Sequence, residues 1–180
     1  MEYAGHASLH SYLKAKPGRK LKEDECKYIF KQVVEGIAYL HSKNIIHRDI
    51  KLENLLLDES KTLKIIDFGF SVCVKPDQKI NNFCGTPTYM APEIVSKKEY
   101  TGAPVDVWAL GVLLYVLLCG TFPFKAQEEK ELYRKITKGT YELPNHMSYG
   151  AKNLVSKLLM YNPFDRIESK DVKFDNNKIV

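Results

Sequence analysis

The sequence predicts a mainly α-helical fold with one small β element, and three observations support this. Apolar residues recur at helical spacing from Cys26 to Leu40, behind three consecutive acids at 23–25, where the helix dipole favours negative charge. Residues 107–124 carry no charge, which is typical of a helix that is buried on all sides. Two short apolar segments, 54–57 and 62–66, flank a polar turn and predict two β-strands.

The other elements follow from periodicity and turn signals. We predict a short helix around Ala7–Lys14 that the Pro17-Gly18 turn closes, a helix near Gln127–Lys138, and a helix near Tyr149–Met160. Residues 67–93 show no periodic pattern and are rich in polar residues, Gly and Pro. A loop of that length inside a compact domain is usually functional.

The uncharged stretch 107–124 is long enough to suggest a membrane span. However, Gly120 and Pro123 should end a helix near Cys119, and Asp106 should cap its start. The remaining helix would have roughly 13 residues and a length of about 20 Å, too short for a hydrocarbon core of about 30 Å. We therefore predict a buried helix near Val105–Cys119 and no membrane span.

Composition and charge narrow the class of protein. The chain has 180 residues, of which 44% are apolar and 27% charged, so it can bury a substantial core. Its net charge is +5, and five basic residues cluster at Lys14, Lys16, Arg19, Lys20 and Lys22. No aromatic residues interleave this cluster, which favours a solvated loop and no nucleic-acid partner.

The cysteine and histidine patterns indicate neither disulfides nor a zinc site. The four cysteines show no CxxC or zinc spacing, so we expect a cytoplasmic location, with the nucleus as the alternative. His6 and His10 lie four residues apart without the glutamate of an HExxH motif, so we interpret them as surface residues.

Three polar strings occur in order along the chain: HRDIKLEN at 47–54, Asp67-Phe68-Gly69, and Ala91-Pro92-Glu93. Each alone is weak evidence, since a lone aspartate is usually a turn residue or a helix cap. A specified residue matches by chance at about 1 in 20 per position, so the occurrence of all three strings in this order is not explained by chance. Together they resemble the catalytic loop, DFG and APE motifs of eukaryotic protein kinases.

This resemblance implies a set of catalytic residues. Asp49 would accept the proton of a substrate hydroxyl, and Lys51 would reach the γ-phosphate of ATP. Asn54 and Asp67 would bind Mg²⁺. Thr86 would hydrogen-bond near Lys51 and Asp49, and this lysine–threonine combination resembles serine/threonine kinases rather than tyrosine kinases.

The resemblance also implies cofactor-binding and structural residues. The candidate residues around ATP and the substrate are Glu2, Ala4, Ser8, Glu53, Leu56 and Asp67. The backbone of Glu2 and Ala4 would bind adenine, Leu56 would close beneath it, and Glu53 would favour basic substrates. Ser8, however, occupies a position where many basophilic relatives carry an acid.

Further matches imply scaffold roles. His47 and Phe68 resemble members of a stacked hydrophobic spine, and Asp106 resembles a buried acid that anchors the catalytic loop. Glu93 and Arg166 resemble a buried ion pair. We expect these residues to support the fold rather than the chemistry.

The resemblance identifies residues 1–180 as part of a kinase domain. It implies a hinge at 1–6, a catalytic loop region at 44–57 and an activation segment at 67–93, all belonging to the large C-terminal lobe. We expect the small N-terminal lobe to be absent, because no GxGxxG motif and no VAIK-type lysine occur. Residues 173–180 are polar where the family builds a closing helix.

Two functions remain open from the sequence. The first is a serine/threonine kinase that acts on protein Ser/Thr hydroxyls, with an upstream kinase or a regulatory subunit as a further partner. The second is a non-catalytic half-kinase that serves as an interaction module. The segments MEYAGHASLHSYL and FCGTPTYMAPEIV resemble the calcium/calmodulin-dependent and AMP-activated kinase group.

One residue of the activation segment departs from this group. Asn82 stands where many relatives carry a phosphorylatable threonine, whose phosphate Arg48 would receive. We hypothesise that the chain is not switched on by phosphorylation at that position.

Overall fold

The structure of the protein is a computed structural model, which describes residues 7–75, 78–175 and 178–179. Its α-helices are α1 (Leu9–Lys14), α2 (Glu23–Ser42), α3 (Pro92–Val95), α4 (Gly102–Cys119), α5 (Glu129–Lys138) and α6 (Tyr149–Leu158). Its strands are β1 (Ala7–Ser8), β2 (Ile45–Ile46), β3 (Leu55–Leu57), β4 (Leu63–Ile65), β5 (Val72–Cys73), β6 (Lys79–Ile80), β7 (Tyr100–Thr101), β8 (Phe174–Asp175) and β9 (Lys178–Ile179). The prediction of a mainly α-helical fold is confirmed, but the described residues contain four small sheets where one β element was predicted.

The strands form short antiparallel pairs rather than one large sheet. β3 lies between β1 and β4, with Leu56 opposite both Ser8 and Lys64. β2 pairs with β5, β6 pairs with β7, and β8 pairs with β9. The β3–β4 hairpin matters most for the site, because Asn54 directly precedes β3 and Asp67 follows β4 by two residues.

Helix α4 runs through the centre of the core, where it packs against α2 and α6. Its Trp108 is fully buried and stacks on Phe124, with ring centroids 5.7 Å apart and the planes 9° from parallel. By length and composition, α4 is the one helix of the described residues that could cross a membrane, and 83% of it is buried inside the protein. That burial identifies it as the core helix.

The predicted start of α4 is wrong. The helix begins at Gly102 and has 18 residues, so Asp106 lies inside it and is not its N-cap. Pro104 is tolerated there because the first turn of a helix has no intrahelical partner for its N–H groups. The carboxylate of Asp106 binds backbone N–H groups of another segment instead. The predicted end at Cys119 is confirmed, with Gly120 in the left-handed region at φ 69°.

The remaining boundaries differ from the predictions by one to two residues. Helix α1 begins at Leu9, because Ser8 belongs to β1 and its hydroxyl accepts the N–H of Ser11. Helix α5 begins at Glu129, and α6 ends at Leu158. In the segment 67–93 the strands β5 and β6 and the short helix α3 interrupt the predicted loop. Of the basic cluster, all members are exposed except Lys16, which is half-buried beside Glu25.

Candidate functional site

The loop between β2 and β3 carries the HRDIKLEN string, and Asp106 of α4 holds its backbone. The Oδ2 atom of Asp106 accepts the N–H of His47 at 2.9 Å, and Oδ1 accepts the N–H of Arg48 at 2.8 Å. Arg48 adopts the left-handed conformation at φ 67°, which is costly for a residue other than glycine. The two charge-assisted hydrogen bonds compensate for this strain. The predicted anchoring role of Asp106 therefore has a matching geometry.

A histidine and a serine that the sequence reasoning missed complete this anchor. His41, at the end of α2, donates through Nε2 to Oδ2 of Asp106 at 2.9 Å. Its Nδ1 atom lies 2.9 Å from the hydroxyl of Ser169. His41 lies 65 positions from Asp106 and 128 positions from Ser169 along the chain, so no local pattern could have indicated these contacts.

The side chains of four predicted catalytic residues meet around Asp49, which is only 3% exposed. Its Oδ2 atom accepts Nζ of Lys51 at 2.6 Å and Nδ2 of Asn54 at 3.1 Å. Its Oδ1 atom accepts the hydroxyl of Thr86 at 2.7 Å. Lys51 also donates to the Thr86 hydroxyl at 3.1 Å, which closes a ring of hydrogen bonds. We call these four residues the Asp49 cluster.

The Asp49 cluster keeps its acid ionised. Burial by itself raises the pKa of Asp49, but the hydrogen bonds from Lys51 and Thr86 outweigh that effect and leave its pKa below the ordinary value. The carboxylate is therefore charged and oriented at neutral pH. It can accept a proton from a group whose acidity rises during a reaction, as a hydroxyl does when it is phosphorylated.

The two predicted metal ligands lie at the open ends of the β3–β4 hairpin. Asn54 donates its amide hydrogens to the backbone oxygen of Asp49 at 2.9 Å and to its Oδ2, so the amide oxygen is left as an acceptor. The backbone N–H of Ile66 donates to the backbone oxygen of Asn54 at 3.0 Å, which brings the adjacent Asp67 close to Asn54. Asp67 is exposed, and its Oδ1 accepts the N–H of Gly69 at 3.2 Å.

This donor set suits Mg²⁺ and not a metal held wholly by protein. Mg²⁺ typically binds one or two protein oxygen ligands together with waters and phosphates. Among the described residues, no group of three or more His, Cys, Asp or Glu side chains could hold a metal ion. An oxygen from Asn54 and a carboxylate from Asp67 therefore fit a magnesium–phosphate complex.

His47 links the loop to the DFG string. Its Nε2 donates to the backbone oxygen of Ile66 at 3.1 Å, and its Nδ1 accepts the N–H of Asp49 at 3.3 Å. Its ring contacts the ring of Phe68, with centroids 5.1 Å apart at 61°. The predicted contact between His47 and Phe68 is confirmed, and 44% of Phe68 remains exposed.

Glycine is required just before Thr86. Gly85 has φ 111°, and a Cβ at this position would lie 2.9 Å from the backbone oxygen of Arg48. This close approach brings Thr86 against Lys51 and Asp49. Tyr89, which the sequence reasoning missed, adds a second tie, since its hydroxyl accepts the N–H of Leu52 at 3.4 Å. No spacing in the sequence indicated that contact.

The predicted cofactor-binding residues lie in different places. Glu2 and Ala4, with the rest of the predicted hinge at 1–6, are outside the described residues. Leu56 is half-buried in β3, directly opposite Ser8 of β1. Glu53 is exposed in the short turn between Lys51 and Asn54.

A second buried charge pair lies away from the Asp49 cluster. Arg166 donates to both carboxylate oxygens of Glu93, at 2.8 and 3.2 Å, and neither side chain is more than 6% exposed. Its guanidinium also donates to the backbone oxygens of Pro104, Tyr161 and Met160. The predicted buried ion pair is confirmed.

Comparison with known proteins decides the family. A model of the protein kinase domain matches residues 1–175. The chain belongs to the protein kinase family. Among this kinase's relatives are the SNF1-related protein kinase catalytic subunit alpha KIN12 of Arabidopsis thaliana, at 42% identity over 96% of this chain, and the serine/threonine protein kinase OSK3 of Oryza sativa, at 43% over 96%. The maternal embryonic leucine zipper kinase of Xenopus tropicalis is 43% identical over 94%.

These relatives agree with the predicted serine/threonine class and with its AMP-activated-like branch. The kinase spans only part of each of them, namely 34% of the Arabidopsis and Oryza proteins and 26% of the Xenopus protein. The activity, substrates and partners of the complete proteins are therefore not transferred to this chain by similarity alone.

Proposed function

We propose that this chain is the large lobe of a serine/threonine protein kinase, which transfers the γ-phosphoryl group of ATP to Ser or Thr hydroxyls of proteins. The observation that carries the proposal is the Asp49 cluster, in which a buried carboxylate, a lysine and a threonine hydroxyl form one ring of hydrogen bonds and an amide donates to the same carboxylate. Phosphoryl transfer needs positioned groups and charge stabilisation rather than covalent help.

Each residue of the cluster then has a distinct task. Asp49 orients the accepting hydroxyl and takes its proton through a carboxylate oxygen. Lys51, which is 22% exposed, extends its ammonium group from Asp49 towards solvent and stabilises the negative charge on the transferred group. Thr86 holds both side chains in place, because it donates to Asp49 and accepts from Lys51.

ATP would supply the transferable phosphoryl group, and Mg²⁺ would neutralise its charge when both are bound. Asn54 and Asp67 would hold the metal through oxygen atoms. Leu56, half-buried in β3, would close against the adenine, and the backbone of Glu2 and Ala4 would bind its edge. Ser8 lies opposite Leu56 and would border the same space.

Thr86 and Lys51 support serine/threonine specificity. Contacts of the activation segment support a kinase that is not activated by phosphorylation at residue 82. Arg48 donates Nε to the backbone oxygen of Phe70 at 2.7 Å, and the backbone oxygen of Asn82 accepts the hydroxyl of Tyr100 at 2.9 Å. The acceptors in both contacts are uncharged backbone oxygens, and Asn82 has no hydroxyl that could carry a phosphate, which is consistent with a segment that needs no phosphate at residue 82. An upstream kinase or regulatory subunit would then act elsewhere.

All four cysteines have free thiols, which suits a cytoplasmic or nuclear location.

The test is phosphoryl transfer by a chimaera that joins the small lobe of the Arabidopsis relative to residue 1. We expect incorporation of labelled phosphate into Ser/Thr peptides, and we expect Asp49→Asn to reduce the rate by about 10²–10⁴-fold, the usual contribution of a general base. Asp24→Asn, at an exposed site in α2, is the matched control and should retain full activity.

Unchanged transfer in Asp49→Asn would contradict the proposal. A folded chimaera that binds peptide but transfers no phosphate would favour the alternative, a non-catalytic interaction module.

A further inference from the structure

A groove of about 320 Å³ lies beside the Asp49 cluster. Its apolar floor includes Leu13 of α1, Val116 of α4 and Phe122. Its polar rim is formed by His10 and Lys14 of α1, by Arg19 and by Glu53. We call this feature the α1 groove.

The α1 groove is continuous with the catalytic loop. Leu52 and Glu53 line it, and they stand between Lys51 and Asn54, whose side chains both bind Asp49. An extended peptide advances about 3.3 Å per residue. A peptide whose hydroxyl lies at Asp49 therefore reaches the groove within a few residues.

The basic side of the groove is held by the backbone. Gly18 and Arg19 both have positive φ, at 63° and 52°, and the N–H of Leu21 bonds the oxygen of Leu117 in α4 at 2.8 Å. Gly120 packs so closely that a Cβ there would lie 2.4 Å from the oxygen of Gly18. Arg19 is therefore presented from a fixed turn beside the end of α4.

The charges on the rim are unevenly placed. Glu53 is acidic and lies on the catalytic loop, while Lys14 and Arg19 lie on the α1 side. Both basic side chains are exposed, and neither has a carboxylate partner among the residues that the structure describes. Lys16 differs, because it is turned onto Glu25 at 3.0 Å. The α1 side of the groove thus offers two cations to an incoming anion.

We propose that Lys14 and Arg19 bind an acidic side chain of the protein substrate, several residues away from the accepting hydroxyl. This inference rests on the proposed function, and it names the substrate class that the kinase prefers. The charges select the acidic residue, and the floor of Leu13, Val116 and Phe122 packs against its apolar neighbours. A substrate with lysine at the same position would meet two like charges, which costs affinity.

The test is a nuclear magnetic resonance titration of the full 180-residue chain with two serine peptides of about 13 residues, which reach about 20 Å on either side of the hydroxyl. The peptides are identical, including the residues next to the serine that would lie near Glu53, except at one position several residues from the serine, where one peptide carries Asp and the other Lys. We expect the Asp peptide to shift the amide signals of Lys14, Arg19 and Phe122. We expect the Lys peptide to bind about tenfold more weakly.

The double variant Lys14→Gln/Arg19→Gln should weaken binding of the Asp peptide about fivefold to tenfold, the sum expected for two exposed ion pairs. It should leave the weak binding of the Lys peptide unchanged or improved. Lys157→Gln, an exposed lysine of α6, is the matched control and should change neither affinity. Because both variants replace exposed side chains, their thermal melting should match that of the parent chain.

Three results would overturn the inference: equal binding of the two peptides, binding of the Asp peptide that the double variant leaves unchanged, or the same amide shifts with an oligonucleotide of matched charge. No nucleotide is present in this titration.

Selective binding of the Asp peptide to a chain whose chimaera transfers no phosphate would refute the proposed function alone. Phosphate transfer with no selectivity between the peptides would refute this inference alone.

Discussion

Two buried charge clusters of this kinase differ in whether they are closed. In the first, every nitrogen of the Arg166 guanidinium donates to Glu93 or to a backbone oxygen, and its side chain is 0% exposed. In the second, Asp49 is buried, but its partner Lys51 is 22% exposed and Thr86 is half-buried. Arg166 therefore ties loops together, whereas the Asp49 cluster has a side that a substrate can reach.

This difference in solvent access indicates which buried charges stabilise the fold and which are available for chemistry. A closed pair has no hydrogen-bonding capacity left, so its loss leaves a partner buried without compensation. An open cluster keeps a charged end near solvent, where water can compensate for a missing partner. The closed pair should thus control stability and the open cluster should control activity.

The largest effect is expected at the closed pair. Arg166→Met should lower the free energy of unfolding by about 3–5 kcal/mol, because the Glu93 carboxylate stays buried without its partner. Urea denaturation measures this change. The double variant Glu93→Leu/Arg166→Met should lose clearly less than the sum of the two single variants, and strict additivity would show that the two residues do not interact.

The next largest effect is expected at the anchor of the catalytic loop. Asp106→Asn should cost about 2–3 kcal/mol, because an amide has one oxygen to accept the N–H groups of His47 and Arg48, and one bond to a charged group is lost. The unfolding midpoint in urea reports the loss. Hydrogen exchange at the amide of Arg48 should accelerate as well, and unchanged protection there would contradict the anchoring role.

A smaller effect is expected where α1, α2 and the β3–β4 turn meet. Glu25 accepts hydrogen bonds from Tyr12, Lys16 and Lys61. Burial raises its pKa, but the bonds from Lys61, Tyr12 and Lys16 outweigh this and lower the pKa to about 2. Since the folded pKa lies below the unfolded value, the stabilisation is complete above pH 4.5 and is lost as the pH falls towards 2.

Glu25→Gln should therefore cost about 1–2 kcal/mol at pH 7, a figure reduced for partial solvent screening, and little near pH 2. Urea denaturation of the parent and the variant at several pH values measures this difference. Glu59→Gln, at an exposed position, is the control and should show no such pH dependence. A cost at Glu25 that is equal at all pH values would mean that the carboxylate charge is not the cause.

The sequence predicted the secondary-structure elements and the residues of the site better than it predicted the tertiary contacts that hold the site in place. Apolar periodicity located α2, α5 and α6 within two residues, because a one-sided apolar face determines where such helices lie. The start of α4 was missed, because the helix is apolar on all sides and Asp106 looked like a cap. Asp106 instead anchors the catalytic loop by accepting the N–H groups of His47 and Arg48, which lie some 60 residues away along the chain.

The same limit applies within the site. HRDIKLEN indicated Asp49, Lys51 and Asn54 because they lie in one short loop, and the structure brings Thr86 to them. His41, Ser169 and Tyr89 could not be found, since their contacts depend on tertiary packing alone. The basic residues of the α1 groove were interpreted as a solvated loop, and only the structure places Lys14 and Arg19 beside Glu53.

The most direct test of this comparison is the free energy of unfolding of Asp49→Asn in the 180-residue chain, measured beside Arg166→Met. We predict a change of no more than about 1.5 kcal/mol for Asp49→Asn, because the amide keeps most of the hydrogen bonds and is less costly to bury than a charge. A loss of about 3–5 kcal/mol, equal to that of Arg166→Met, would contradict it. Asp49 would then be a structural residue, and its part in the proposed chemistry would lose its main support.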